Sequence, residues 1–335
     1  VVAAFIVRTE FPSGSFSDRV TAVAPHRSPS SALPLVADAG PRRDTRLFVD
    51  AALKRAEHLI ERQVWSGIDM ARCRNWFAQF EERDMALLGA CLLDVFVYRS
   101  RDQVPALLRQ AMLDAACALD LPHDAALIDA LRQRSDPGIR LAPVVHLAQP
   151  PTKSGPYVLR LLARTLRIRD EWLIWPEQIP RLGDAGGVRA VILVDDFCGT
   201  GRQFGAFERR LALSDWLRRA GQVRLLYLTA AAHRQGVSEL RKTLPSLLVL
   251  PGELLDENDH VFSGTVLDQY RDPTLKEQLA EQHQTLCRRV GIGGSVGTDG
   301  FGHLGLAYAF AHGTPNNTLP IYWQETREWT PMVDR

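Results

Sequence analysis

Two acidic residues set after an apolar run and before a glycine-rich turn carry the clearest chemistry in this chain. The string is Val191-Ile-Leu-Val-Asp195-Asp196-Phe-Cys198-Gly199-Thr200-Gly201-Arg202-Gln203. Four apolar residues, three of them β-branched, predict a buried strand of a parallel sheet. Open α/β sheets bind ligands beyond the carboxyl ends of their strands, and Asp195 and Asp196 fall at that end. Adjacent carboxylates repel each other and lose solvation on burial, so the pair calls for hydrogen-bond donors on something bound. A ribose offers two vicinal hydroxyls. Gly199, Thr200 and Gly201 let the backbone turn tightly and aim N–H groups at an anion, and a helix opening near Arg202 adds the positive end of its dipole. A 5-phosphate would sit there, with Cys198, Gly199, Thr200, Gly201 and Arg202 as its binding residues. The plainer alternative is an ordinary polar strand-to-helix loop.

A second loop has related chemistry. Gln149-Pro-Pro-Thr-Lys153-Ser154-Gly155 follows a short strand, read at Val144–Leu147, and precedes a helix, Tyr157–Leu166. Lys153 supplies a point charge, while Ser154 and Gly155 offer a hydroxyl and an unobstructed N–H to a polyanion at a helix start. Such a loop on its own is more often mere turn chemistry, but its place one strand and one helix before the acid pair strengthens the reading considerably. His233 follows a strand and could reach the same cleft, or could cap the next helix. His312 lies in a polar turn with Asn316 and Asn317, whose amides can read a base or sugar edge or hold an Asx turn. Cys198 is read mainly as a small residue filling the turn.

The elements that must position these residues alternate. Phe204–Ala220 reads as a helix, Val223–Ala230 and Leu247–Leu250 as strands, and Pro273–Val290 as a helix, an order that gives a parallel sheet flanked by helices. Before this α/β part, residues 46–138 have helical periodicity: Leu53, Ala56, Leu59, Ile60 and Val64, then Trp76, Phe77 and Phe80, then runs at Met85–Val97, Val104–Leu119 and Ala125–Leu131. They predict a helical subdomain, with residues 139–335 as the α/β domain. Residues 1–45 are rich in Ser, Pro, Ala and Arg and predict a loose tail. Gly291–Gly302 reads as a glycine-rich loop, and Leu304–Phe310 and Leu319–Trp323 as strands around a polar turn.

Composition limits the function classes. The 335 residues are 46% hydrophobic with a net charge of +1, enough for a substantial core and without a field of one sign that would argue for nucleic acid or membrane. A winged-helix DNA binder is disfavoured because the helical part has no basic recognition face. Met85–Val97 is too short to span a bilayer, and the apolar start Val1–Val7 runs directly into Arg8 and Glu10, unlike a secretory signal. The five cysteines lack metal-ligand spacing and favour free thiols, so a cytoplasmic location is expected. Leu255–His260 is acidic but reads as a solvated loop. Gly300-Phe-Gly-His-Leu-Gly305 and Gly293-Gly-Ser-Val-Gly297 match dinucleotide and nucleophile-elbow strings without their strand-turn-helix context.

The string of four apolar residues, two acids, three further residues and Thr-Gly resembles the phosphoribosyl pyrophosphate (PRPP) motif of type I phosphoribosyltransferases. The Lys153-Ser154-Gly155 loop resembles their pyrophosphate loop. Purine-salvage members have an Asp immediately before Thr-Gly, and here that place is Gly199, which argues against purine salvage. Together with the aromatic helical stretch (Trp65, Trp76, Phe77, Phe80) and the terminal His312-Gly-Thr-Pro-Asn-Asn-Thr-Leu-Pro-Ile-Tyr-Trp323, the motifs resemble the phosphoribosyltransferase-like domain of bacterial conflict systems, including anti-phage effectors encoded beside retron reverse transcriptases. The resemblance implies a ligand that is PRPP or a related ribose phosphate or nucleotide, and Mg²⁺ held directly or through water by Asp195 and Asp196. By the same resemblance those acids would hold the ribose hydroxyls and Lys153 would stabilise the leaving pyrophosphate. It also implies a reverse transcriptase with its RNA–DNA product as partner. A catalytically idle nucleotide-binding module and ordinary nucleotide salvage are the alternatives. The sequence assigns neither the acceptor of a transfer nor an oligomeric state.

Overall fold

The computed structural model describes residues 41–145, 153–182, 187–270 and 272–335. Of the stretch read as a tail, only the last five residues are described, and they open helix α1 (Pro41–Glu61), with proline at the first position where its missing N–H costs nothing. Val49, Ala52 and Ala56 bury one stripe of α1. Helix α2 (Met70–Glu81) is capped by Asp69, whose side chain accepts from the N–H groups of Ala71 and Arg72, and it buries Cys73, Trp76, Phe77 and Phe80. Helix α3 (Ala86–Val95) is apolar on nearly every side and is buried accordingly. A short strand β1 (Val97–Arg99) follows, then α4 (Gln103–Ala118) and α5 (Ala126–Arg132).

The α/β region runs β2 (Ile139–Pro143), α6 (Ser154–Leu166), β3 (Ala190–Cys198), α7 (Arg202–Leu211), α8 (Leu213–Ala220), β4 (Arg224–His233), α9 (Arg234–Thr243), β5 (Leu247–Pro251) and β6 (Leu254–Leu255). Helix α10 (Pro273–Val290) and strand β7 (Tyr308–Phe310) complete it. The main sheet has the order β2-β3-β4-β5, with β6 extending the β5 edge along β4, and every pairing is parallel. Buried residues of α4, α5 and α6 share a core with Ile192, Val194, Leu226 and Leu228 on one face. Those of α7, α8 and α9 share another with Val191, Leu193, Leu225 and Tyr227 on the opposite face. The protein is thus α/β, with a parallel sheet flanked by helices as the alternating pattern predicts.

The helices of residues 46–138 divide between two cores. α1, α2 and α3 pack with α10 and the C-terminal segment, whereas α4 and α5 cover the sheet. Trp76 is the hinge of the first core: its ring stacks on Tyr322 at 5.5 Å, and its Nε1 donates to the Ile321 carbonyl at 2.9 Å, as does Nε1 of Trp329. β1 pairs in parallel with β7, so the front of the chain is joined to its end.

Several elements differ from the sequence reading. The strand before the second loop is Ile139–Pro143, not Val144–Leu147, whose last two residues lie outside the described ones. Pro143 is tolerated because β2 lies at the edge and forms its ladder with β3. The helix read as Phe204–Ala220 breaks at Ala212, which is left-handed (φ 49°), and Glu208 accepts from Ser214 N–H and Oγ across the break. Leu319–Trp323 is not a strand; it contains a single 3₁₀ turn, Pro320–Tyr322, set by Pro320. The acidic segment is also a 3₁₀ turn, in which Asp256 and Asp259 cap each other. No disulfide joins the cysteines, of which only Cys117 is exposed. Among the described residues no helix is long and apolar enough to cross a membrane.

Candidate functional site

Strand β3 outruns its neighbour. β2 follows it as far as Val194, while β4 accompanies it to Cys198, so the residues from Asp195 onward line a crevice beyond the end of the edge strand. The acid pair therefore belongs to the strand itself, three residues before its end, and not to the turn after it.

Successive strand residues project to opposite faces, and the two acids do so. Asp195 turns toward the α7 face, where Oδ2 accepts from Tyr227 Oη at 3.1 Å and from Gln203 Nε2 at 3.5 Å, and Oδ1 accepts the Asp196 N–H at 3.0 Å. It is 1% exposed. Burial, and then the adjacent Asp196, push its carboxyl well above the usual carboxylate range. Asp196 turns toward α6. Its Oδ1 accepts the Phe197 N–H at 2.8 Å, its Oδ2 lies 3.1 Å from Nε2 of His312, and Ser154 hydrogen-bonds to it from the first turn of α6. Burial pushes this carboxyl up, but the hydrogen bond and charge of His312, with Ser154, outweigh it and hold the group below its ordinary value. The His312 ring is fixed by stacking on Phe310 at 5.2 Å and by Tyr157 at 5.4 Å.

Asp196 opens onto a cleft of about 730 Å³. Lys153 and Ser154 form one wall, Cys198 to Arg202 the floor, and His312 to Asn317 the facing wall. Gly201 precedes α7 with φ 77°, a conformation that favours glycine, and turns the chain so that α7 begins at the cleft. Gly199 is needed for a different reason: a Cβ there would run into the Asn317 side chain, which is 4% exposed and donates from Nδ2 to the Phe301 carbonyl at 2.7 Å. The Asn316 carbonyl accepts the Phe301 N–H at 2.7 Å, so the two asparagines clasp Phe301 between them. Arg202 lies over the Phe301 ring, 5.5 Å from its centre.

The remaining sequence candidates are placed differently. Asp195 lies beneath the cleft floor, not on its surface, because its alternation along β3 sends it to Tyr227. Gly155 does not line the cleft; a Cβ there would only just touch Pro143 and Val144, so its side faces the end of β2. His233 is 2% exposed and ends β4, where Nδ1 accepts the Gln235 N–H and caps α9, so it is a capping residue and not a cleft residue. Burial pushes the Cys198 thiol up to about 12, which leaves it an inert filler of the turn. Sequence reasoning missed Tyr227, which looks like one more apolar strand residue, and Gln203. Phe301, Thr314 and Arg335, which also line the cleft, have no local signal either.

Among the described residues no group of three or more His, Cys, Asp or Glu is arranged to hold an ion. Mg²⁺ is commonly held by one or two carboxylates plus phosphate oxygens of a ligand; Asp196, which lines the cleft, is placed for that arrangement, whereas Asp195, 1% exposed and outside the lining, is not.

Comparison with known proteins adds the family. Residues 73–335 match the family model PRTase-CE. No curated protein matches the chain. The match covers most of the chain, including β3, the Gly199–Gly201 turn and the His312–Asn317 wall, and it agrees with the parallel sheet: this chain belongs to the PRTase-CE family of phosphoribosyltransferase-like conflict-system effectors.

Proposed function

We propose that the cleft binds PRPP or a related ribose 5-phosphate, and that the protein is an effector of a retron-type anti-phage system with a reverse transcriptase and its RNA–DNA product as partner. One observation carries the ligand reading: Asp196 faces the same cleft as the Thr200–Gly201 turn and Lys153. Asp196 would accept from ribose hydroxyls, the backbone of residues 199–201 would take the 5-phosphate at the start of α7, and Lys153 would balance a pyrophosphate. Mg²⁺, shared between ligand oxygens and Asp196, would neutralise charge on the diphosphate. Asp195 acts from below as a positioning residue, tying the floor to Tyr227.

In a transfer, the bond from the anomeric carbon to pyrophosphate breaks and the acceptor attacks that carbon, so the protein's tasks are orientation and charge stabilisation. A second reading, a nucleotide-binding module without turnover, is favoured by His312, which already occupies an oxygen of Asp196. Thermal stability with PRPP and Mg²⁺, against ATP and ribose 5-phosphate, tests binding. Pyrophosphate release separates the two readings: stabilisation with release supports transfer, stabilisation without release supports the idle module, and no stabilisation by any ribose phosphate removes both.

A further inference from the structure

A second cavity adjoins the proposed phosphate turn. It measures about 560 Å³ and shares Thr200, Arg202 and Phe301 with the main cleft. Ligand pockets span about 300–1,000 Å³, so each of the two spaces has the capacity of one nucleotide. The site proposed for a single ribose phosphate therefore adjoins, across Thr200, Arg202 and Phe301, room that such a ligand leaves unused.

We infer that the ligand is a dinucleotide of the ADP-ribose type, its ribose 5-phosphate in the main cleft and its second nucleoside, joined through a 5′–5′ pyrophosphate, in the adjoining cavity. This rests on the ribose-phosphate reading above. The shared wall has the chemistry of the linkage. Arg202 borders both spaces with a guanidinium suited to bridging phosphates, and it is braced over the Phe301 ring at 5.5 Å. Phe301 borders both spaces as well and offers an aromatic surface to a base.

The outer wall has groups that distinguish a base. Gln235 and Glu239 stand one turn apart on the exposed face of α9, and both line the second cavity. A glutamine amide can pair with adenine through a donor and an acceptor, and a carboxylate accepts from an exocyclic amine. Glu239 also disfavours a polyanion, since a nucleic-acid strand continuing through the cavity would bring further phosphates beside it. With a net charge of only +1 the chain has no general attraction for such a strand. The cavity is completed by Ser295, Val296, Gly297, Gly302 and His303; Gly297 and Gly302 adopt positive φ of 75° and 73°, and a Cβ at Gly302 would run into the Thr200 side chain, so glycine there lets this segment lie close against the turn.

The test is calorimetric titration of the full chain with ribose 5-phosphate and with ADP-ribose, each with Mg²⁺, for the wild type and for a Gln235→Ala, Glu239→Ala double variant. ADP-ribose is expected to bind about tenfold or more tighter than ribose 5-phosphate, the scale of one stacked and hydrogen-bonded base. The double variant is expected to lose about tenfold in ADP-ribose affinity and to keep its ribose 5-phosphate affinity. Equal affinities for the two ligands, or an unchanged double variant, overturn the second cavity's role while leaving the ribose cradle standing. Binding of neither ligand overturns the cradle and this inference with it.

Discussion

His312 Nε2 and Asp196 Oδ2 lie 3.1 Å apart although 116 residues separate them in the chain. The contact ties the acid of the central strand to the segment that follows β7, and both side chains are largely shielded, at 10% and 18% exposed. Removing one partner from such a pair leaves the other buried without compensation. His312→Ala should therefore lower unfolding stability in urea by about 1–3 kcal/mol. His312→Ala with Asp196→Asn should lose less than the sum of the single changes, because the second change removes the charge that the first leaves unpaired.

Gly199 and Asn317 make a reciprocal prediction. A methyl at position 199 would enter the space of the Asn317 amide. Gly199→Ala should destabilise by about 1–3 kcal/mol through overpacking. Adding Asn317→Gly should recover part of that loss, even though it also removes the hydrogen bond to Phe301. Thermal unfolding of the two singles and the double settles it; strictly additive losses would show that the two residues do not share space.

Asp195 and Asp196 should respond differently to the same substitution. Burial raises the Asp195 carboxyl, so in the folded state it holds its proton to higher pH than in the unfolded chain. For a raised acid the unfolded chain releases its proton first, and stability falls as pH rises from the ordinary carboxylate range toward the folded value. Asp195→Asn removes that penalty and should leave the protein at least as stable as wild type at pH 7. Urea denaturation at pH 5 and pH 7 checks this, with the advantage of the variant greater at the higher pH.

His283 gives the acid limb. It is fully buried in α10, 3.3 Å from the Cys287 thiol, and burial lowers its pKa to about 3. The unfolded chain takes up a proton near 6.5, so stability is whole above that pH and is lost as pH falls from about 6.5 toward 3. His283→Leu should flatten this part of the stability profile between pH 6.5 and 4. A variant with the same slope as wild type would show that His283 is not the group responsible.

The centre of the fold was legible because its signals are local. Val191–Val194 is too apolar and too β-branched for an exposed element, and the glycines after the acid pair mark the turn that opens α7. Asp195's inward turn was also within reach, since alternation along a strand separates neighbouring residues. What brings His312 to Asp196 and Asn317 to Gly199 is tertiary: β7 pairs with β1, and the following turn is carried over the cleft. No short-range pattern encodes that. Likewise, helical periodicity identifies the buried stripe of α4 but not its partner: the chain order places this helix with the front helices, whereas its apolar side covers the sheet. The break at Ala212 had no glycine or proline to announce it.

The central claim is that Asp196 and the Thr200–Gly201 turn hold a ribose phosphate. The most direct measurement is calorimetric titration of PRPP with Mg²⁺ into wild type, Asp195→Asn and Asp196→Asn. The account predicts saturable binding to wild type, a loss of about tenfold or more in Asp196→Asn, and a smaller change in Asp195→Asn. Equal affinity in wild type and Asp196→Asn, or no binding to wild type, would contradict it.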